Sequence, residues 1–121
     1  MNLSNIFKHK HFKITEKEIY ETYKIFFGTL VSESRLRIIN LLRKGGKNVS
    51  EIMKELKIEQ TIISHDLARL KRCGFVISEN DGKFRYYKIN EKTIKPLMEV
   101  IDKHMSEFCI HILMNKKEVK K

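Results

Sequence analysis

The sequence predicts a mostly α-helical domain closed by one small β-hairpin wing, in the order ααααββα, and assembled as a dimer. Three observations predict it. Before residue 74 the apolar residues recur at spacings of three and four, the period of a helix. Over 75–89 the period switches to two, around Asn80-Asp81-Gly82-Lys83. After residue 92 one apolar stripe runs on for longer than a small core can cover.

Residues 1–13 are polar and basic and read as a loosely docked arm. His9 and His11 read there as part of a solvated tail rather than as metal ligands. The folded domain is expected over 14–114, with a basic tail at 115–121. The first helix is expected over 15–28, opened by Thr15 and Glu18. At that spacing each side chain can take the other's free backbone N–H. Ile19, Tyr23, Phe26 and Phe27 line one side, and Gly28 marks the exit. Ser32 or Ser34 caps the second helix; Leu36, Ile39, Leu41 and Leu42 are its apolar set, and Lys44-Gly45-Gly46 stops it. The third helix runs from about Val49 to Leu56 behind the capping pair Asn48 and Glu51, with Ile52, Met53 and Leu56 inward. A turn at 57–59 leads to a fourth helix that begins near Gln60 and ends at Cys73-Gly74.

Two β runs follow, at 75–79 and 84–89, with Asp81-Gly82 favouring a tight turn between them. The last helix is expected from about Thr93 to Met114, with Pro96 in its first turn, where a missing N–H breaks no bond. Its stripe is Ile94, Leu97, Ile101, Met105, Phe108 and Ile112. That stripe reads as a homodimer seam, shared with Ile19 and Tyr23 of the first helix. The competing reading packs it on the chain's own core.

The formal net charge of +10 favours a polyanionic partner: DNA, RNA or an anionic surface. A lysine-rich surface kept for solubility is the plain alternative. No apolar run approaches the roughly 20 residues that span a membrane. The N-terminal stretch "MNLSNIFKHKHFKITEKE" has no signal-peptide h-region, so a cytoplasmic protein without membrane contact is expected. Cys73 and Cys109 are far apart, which gives neither a disulfide framework nor a CxxC zinc knuckle.

The pattern decides between these partners. Within "IEQTIISHDLARLKRCGFV" the fourth helix carries Gln60, Thr61, Ser64 and His65 on one side and reserves Ile62, Leu67 and Leu70 for a core. A helix built only for packing has no use for that polar set. Two short helices, a tight turn and a second helix with a polar face describe a helix-turn-helix, and the basic hairpin after it makes a winged helix. Such a second helix lies in the major groove of double-stranded DNA, where base edges can be read. Gln60, Thr61, Ser64 and His65 are the expected base readers, with Ile63 meeting a thymine methyl. Arg69 and Lys71 are expected on phosphates, and Lys83 and Arg85 reach an adjacent backbone or minor groove from the wing. Asp66 does not suit a phosphate and is expected to face a basic side chain. Taken singly, each polar residue is a solvated helix face; the set, ahead of a basic hairpin, points to DNA.

No enzyme is expected. There is no Gly-rich phosphate loop ahead of a helix, and His65 and Asp66, as helix neighbours, point about 100° apart. The main alternative is a winged-helix interaction module, or a nonspecific DNA binder that senses no inducer.

From Leu30 to Asn90 the chain resembles the ArsR/SmtB family of regulators. The matching blocks are "SxxRLRIINLL", "VSEIMKEL", "QTIISHDLARLKRCGFV" and "GKFRYYKI". The resemblance implies a homodimer joined through its first and last helices. It also implies a transcriptional repressor that occupies a palindromic operator and is released by an inducer. Many members sense metal through a Cys-x-Cys pair in the third helix; Asn48 and Ser50 stand at those positions here. Others use the last helix across the dimer. Aligned from the wing, this chain offers Glu91, His104 and Glu107 as zinc ligands, with Thr93 where a His belongs. The competing reading makes His104 and Glu107 ordinary polar residues beside an apolar seam. Some relatives pair cysteines for redox sensing. Cys109 fits one such place but Cys73 does not fit the other, so a buried structural thiol is expected at Cys109.

Overall fold

The computed structural model describes residues 14–119; the N-terminal arm at 1–13, with His9 and His11, lies outside the described residues. The elements are α1 (Glu16–Leu30), α2 (Glu33–Leu42), α3 (Val49–Leu56), α4 (Gln60–Arg72), β1 (Val76–Asp81), β2 (Phe84–Ile89), α5 (Ile94–His104), a π-helical turn (Met105–Cys109) and α6 (Ile110–Val119).

The first three helices start where a side chain can close their free N–H groups. Thr15 and Glu18 form a reciprocal capping box on α1. The hydrogen bonds from the Thr15 hydroxyl and backbone N–H hold the Glu18 carboxyl below its ordinary value. Ser32 caps α2, accepting the Arg35 N–H at 3.3 Å, so Ser34 is free for another task. Asn48 and Glu51 box the start of α3. Lys57 ends α3 in the left-handed region at φ 55°, and Arg37 covers the Leu56 carbonyl at 3.0 Å. Gly28 is not an exit: α1 continues two residues to Leu30, with the Val31 N–H returning to the Phe27 carbonyl at 3.0 Å. Glycine permits a stop but does not impose one when later backbone groups still find partners.

The core joins Ile38, Ile39, Leu41 and Leu42 of α2 with Ile52 of α3, Ile63, Leu67 and Leu70 of α4, and Phe75, Val76, Ile89, Ile94 and Met98 beyond it. Burial of each such side chain contributes roughly 1.5–3 kcal/mol at most. Ile38 takes the inward place expected for Leu36, which is only half-buried.

The hairpin is longer than its sequence pattern suggests. Val76 pairs with Ile89 and the ladder continues to Asp81 opposite Phe84, so the turn is Gly82 and Lys83 alone. Gly82 takes φ 62°, as a two-residue turn with glycine first requires. Asn80 and Asp81, expected in the turn, are paired strand residues instead. Lys47 adds a third chain segment, exchanging backbone hydrogen bonds with Tyr87 at 2.8 and 3.0 Å.

The last helix begins at Ile94, has Pro96 in its first turn, and is tied to α2 by an Arg43–Asp102 ion pair of 2.7 Å. Its α-helical bonding is interrupted by the π turn. It then continues as α6 to Val119, so the stretch expected as a tail from 115 is helical through 119.

Candidate nucleic-acid interface

The Lys57 turn sets α4 against α3 and presents one of its faces outward. Gln60, Thr61, Ser64, His65 and Lys71 are all exposed, as expected. Helical geometry puts Ala68 and Arg72 on the same face as Thr61, Ser64 and His65, and both are exposed. The sequence reading missed these two, although their spacing of four from Ser64 and Ala68 marks them. No side chain caps α4, so its first-turn N–H groups are offered to whatever lies ahead of it.

Two expected contacts are corrected. Ile63 is fully buried and belongs to the core, whereas Ile62, assigned to the core, is 45% exposed. The inward face of α4 is Ile63, Asp66, Leu67 and Leu70, one regular stripe at spacings of three and four. Arg69 is turned partly towards α1. It is half-buried, with its Nε donating to the Thr29 hydroxyl at 3.4 Å. Arg72, three residues on, is exposed. Asp66 does face a basic group: it is buried, accepts from Arg35 Nη1 at 3.3 Å, and also accepts from the Ser34 hydroxyl. That satisfied pairing explains a carboxylate on a helix otherwise suited to a polyanion.

On the wing, strand alternation sorts the side chains into two faces. Phe84, Tyr86 and Lys88 share one face with Ile77, Glu79 and Asp81. Lys88 donates to Glu79 at 2.9 Å, and that hydrogen bond with the carboxylate's charge raises the Lys88 pKa above its ordinary value. Arg85 lies on the other face, opposite Asn80, away from these carboxylates. Lys83 sits in the turn itself, and both cations are exposed.

The expected seam divides. Ile19 is fully buried within the chain, so it has no surface for a partner. Leu97 and Ile101 pack partly on the chain's own core, beside the buried Ile94 and Met98. Tyr23, Met105, Phe108 and Ile112 are exposed, the last two by about 60%. The first half of the last helix therefore packs inward and the second half stands clear of the core. Open apolar space of about 530 Å³ lies beside it, lined by Asp102, Met105, Ser106, Cys109, Ile110 and Leu113. Cys109 is exposed rather than buried, and Cys73 touches the Thr29 hydroxyl at 3.3 Å.

The zinc candidates do not converge within one chain. Glu91 precedes α5 and His104 ends it, so the 11-residue length of α5, about 16 Å at 1.5 Å per residue, lies between them. Glu107 lies in the π turn, which breaks the α-helical stacking of residues three apart, and the His104 ring packs on Phe108 at 4.9 Å. Among the described residues, no three His, Cys, Asp or Glu side chains form a group that could hold a metal ion. Among the described residues no helix is long and apolar enough to cross a membrane.

Comparison with known proteins agrees with this geometry. The model of the arsR family of bacterial regulatory proteins matches residues 32–78, from the α2 cap into β1. An HTH-type transcriptional regulator of Methanocaldococcus jannaschii is 34% identical over 86 residues, covering 70% of this chain and 97% of its own. The crystal structure of Rv0081 from Mycobacterium tuberculosis has a TM-score of 0.73 at 28% identity, covering 78% of this chain and 96% of that one. The solution structure of Mb0332 from Mycobacterium bovis, a homodimeric winged helix-turn-helix DNA-binding domain, has a TM-score of 0.73 at 22% identity. It covers 85% of this chain and 95% of that one, and shows the shared fold.

Proposed function

The chain belongs to the arsR family of HTH-type transcriptional regulators, and from that premise we propose that it is a homodimeric repressor that occupies an inverted-repeat operator. The observation that carries this reading is the division of α4. Its Ile63, Leu67 and Leu70 are locked in the core, while Thr61, Ser64, His65 and Ala68 form an exposed polar, small-residue face. A helix so anchored can enter a major groove without loosening the domain.

In this reading Thr61, Ser64 and His65 contact base edges, with Gln60 at the leading end and Ile62 at the margin as the apolar contact for a thymine methyl. Lys71, Arg72, Lys83 and Arg85 neutralise phosphates and set the register. The exposed part of the last helix, with Met105, Phe108 and Ile112, packs on the same part of a second chain, together with Tyr23. The homodimeric relative supports that assembly. Two copies then place two α4 helices about one helical turn apart on one side of the duplex. Repression follows from occupancy of promoter-proximal DNA, as the resemblance implies.

Among the described residues of one chain Glu91, His104 and Glu107 form no metal-holding group, so a zinc site there would need residues of both chains. The test is selection of bound sequences from a random duplex library at near-physiological salt, with and without added zinc. An enriched inverted repeat supports the reading, and enrichment that zinc leaves unchanged makes His104 and Glu107 ordinary polar residues. Absence of any enriched sequence contradicts operator reading and favours an interaction module.

A further inference from the structure

The end of α1 and the middle of α4 are joined by a polar cluster that the DNA-facing residues do not explain. α1 has no basic residue in its last turn, and its final carbonyls have no partner within the helix. The Arg35 side chain supplies one from α2. Its Nε donates to the Thr29 carbonyl at 2.7 Å and its Nη2 to the Gly28 carbonyl at 3.2 Å. The same guanidinium donates through Nη1 to Asp66, at 3.3 Å. Ser34 completes the Asp66 carboxylate. One turn along α4, Arg69 donates to the Thr29 hydroxyl at 3.4 Å, and that hydroxyl also touches Cys73. The centre of the cluster is shielded from water: Thr29 is fully buried, and the Arg35 and Asp66 side chains are 11% and 6% exposed.

We propose that Arg35 is a positioning residue for DNA reading: it locks the end of α1 to the middle of α4, so the pose of the reading face follows the packing of α1. The planar fork of arginine has five donors, enough to hold two carbonyls and a carboxylate at once. Lysine has the charge but not that fixed geometry. The attachment is short-ranged and directional, unlike the apolar contacts around it, so a shift or rotation of α1 is passed to the α4 turn that carries Ser64 and His65. α1 carries the exposed Tyr20, Tyr23 and Phe27, the surface that a second chain would touch. The cluster thus links the assembly surface to the reading surface without crossing the hydrophobic core.

This inference rests on the reading of α4 as the base-contacting helix, and the experiment separates the two. Wild type, Arg35→Lys and Thr29→Val are compared for affinity to the selected repeat and to a scrambled duplex of equal length. Thr29→Val removes the hydroxyl that holds Arg69 and keeps the carbonyl that holds Arg35. The expected result for Arg35→Lys is a fall of about tenfold or more in the ratio of specific to scrambled affinity, with the scrambled affinity, salt slope and dimer unchanged. Thr29→Val is expected to lower the ratio less. A ratio equal to wild type in both, accompanied only by lower stability, overturns the proposal and leaves a structural clamp. Should Arg35→Lys not fold, amide exchange of the wild type decides. Amides of Thr29 and Val31 that open with the same free energy as those of Leu67 and Leu70 support the lock, and clearly separate opening energies overturn it. A wild type without preference for any sequence would instead contradict the reading of α4.

Discussion

Ile62 and Ile63 are adjacent on α4 and belong to different surfaces: Ile63 is fully buried in the core while Ile62 is 45% exposed. Ile63→Ala is therefore expected to destabilise the fold by about 2–5 kcal/mol, and Ile62→Ala to change stability by less than about 0.5 kcal/mol. Chemical denaturation measures both. Ile62→Ala is expected to weaken binding to the selected operator, so equal destabilisation by the two changes would mean that the face of α4 has been assigned wrongly.

Two of the three wing cations differ in surroundings. Arg85 stands opposite Asn80, whereas Lys88 is engaged by Glu79. Arg85→Ala is expected to weaken binding to all DNA sequences and reduce the salt slope by about one. Lys88→Ala is expected to leave that slope as it is. Affinity titrations across salt concentration check both, and a larger loss for Lys88→Ala would place the carboxylate-bearing face of the wing against DNA.

Met105, Phe108 and Ile112 stand clear of the chain's own core. Met105→Glu puts a charge into the proposed seam without touching the α2–α4 core and is expected to yield folded monomers. Sedimentation velocity reads the assembly and circular dichroism the fold. An unchanged dimer would exclude that part of the last helix from the seam.

The capping box on α1 carries a pH dependence. Hydrogen bonds from Thr15 lower the Glu18 pKa below 4.5 in the folded chain. Their stabilisation is fully present above the unfolded value, near 4.5, and is lost as the pH falls through the lower folded value. The amides of the first turn of α1 are expected to lose exchange protection in that acidic range in wild type. Thr15→Ala, which costs about 1 kcal/mol of helix stability, should show little such dependence. Identical acid profiles for the two would contradict the assignment.

Much of this fold is legible in the sequence because local rules act alone there. The Thr15–Glu18 and Asn48–Glu51 boxes, the left-handed Gly74 and the α3 limits Val49–Leu56 are decided within a few residues. What escaped was decided by partners distant in the chain. Whether Arg69 faces DNA or Thr29 depends on where α1 ends, 40 positions away. The inward face of α4 could be drawn through Ile62 or Ile63 until Asp66 was known to be buried with Arg35, since a carboxylate is a poor guess for a core position. The extra pairing of Lys47 with Tyr87 leaves no pattern in a single residue. The π turn, likewise, is not announced by "MSEFC", and it moves Glu107 away from the stacking that a His-x-x-Glu spacing implies in a regular helix.

The central claim is that α4 reads sequence. It is tested most directly by competing the selected inverted repeat against a scrambled duplex of equal length, for the wild type and for Ser64→Ala with His65→Ala. At physiological salt the wild type should prefer the repeat by about 10³-fold or more. The double variant should bind both duplexes alike, weakly and with strong salt sensitivity. A double variant that keeps the wild-type preference would contradict the claim and move sequence reading to another part of the molecule.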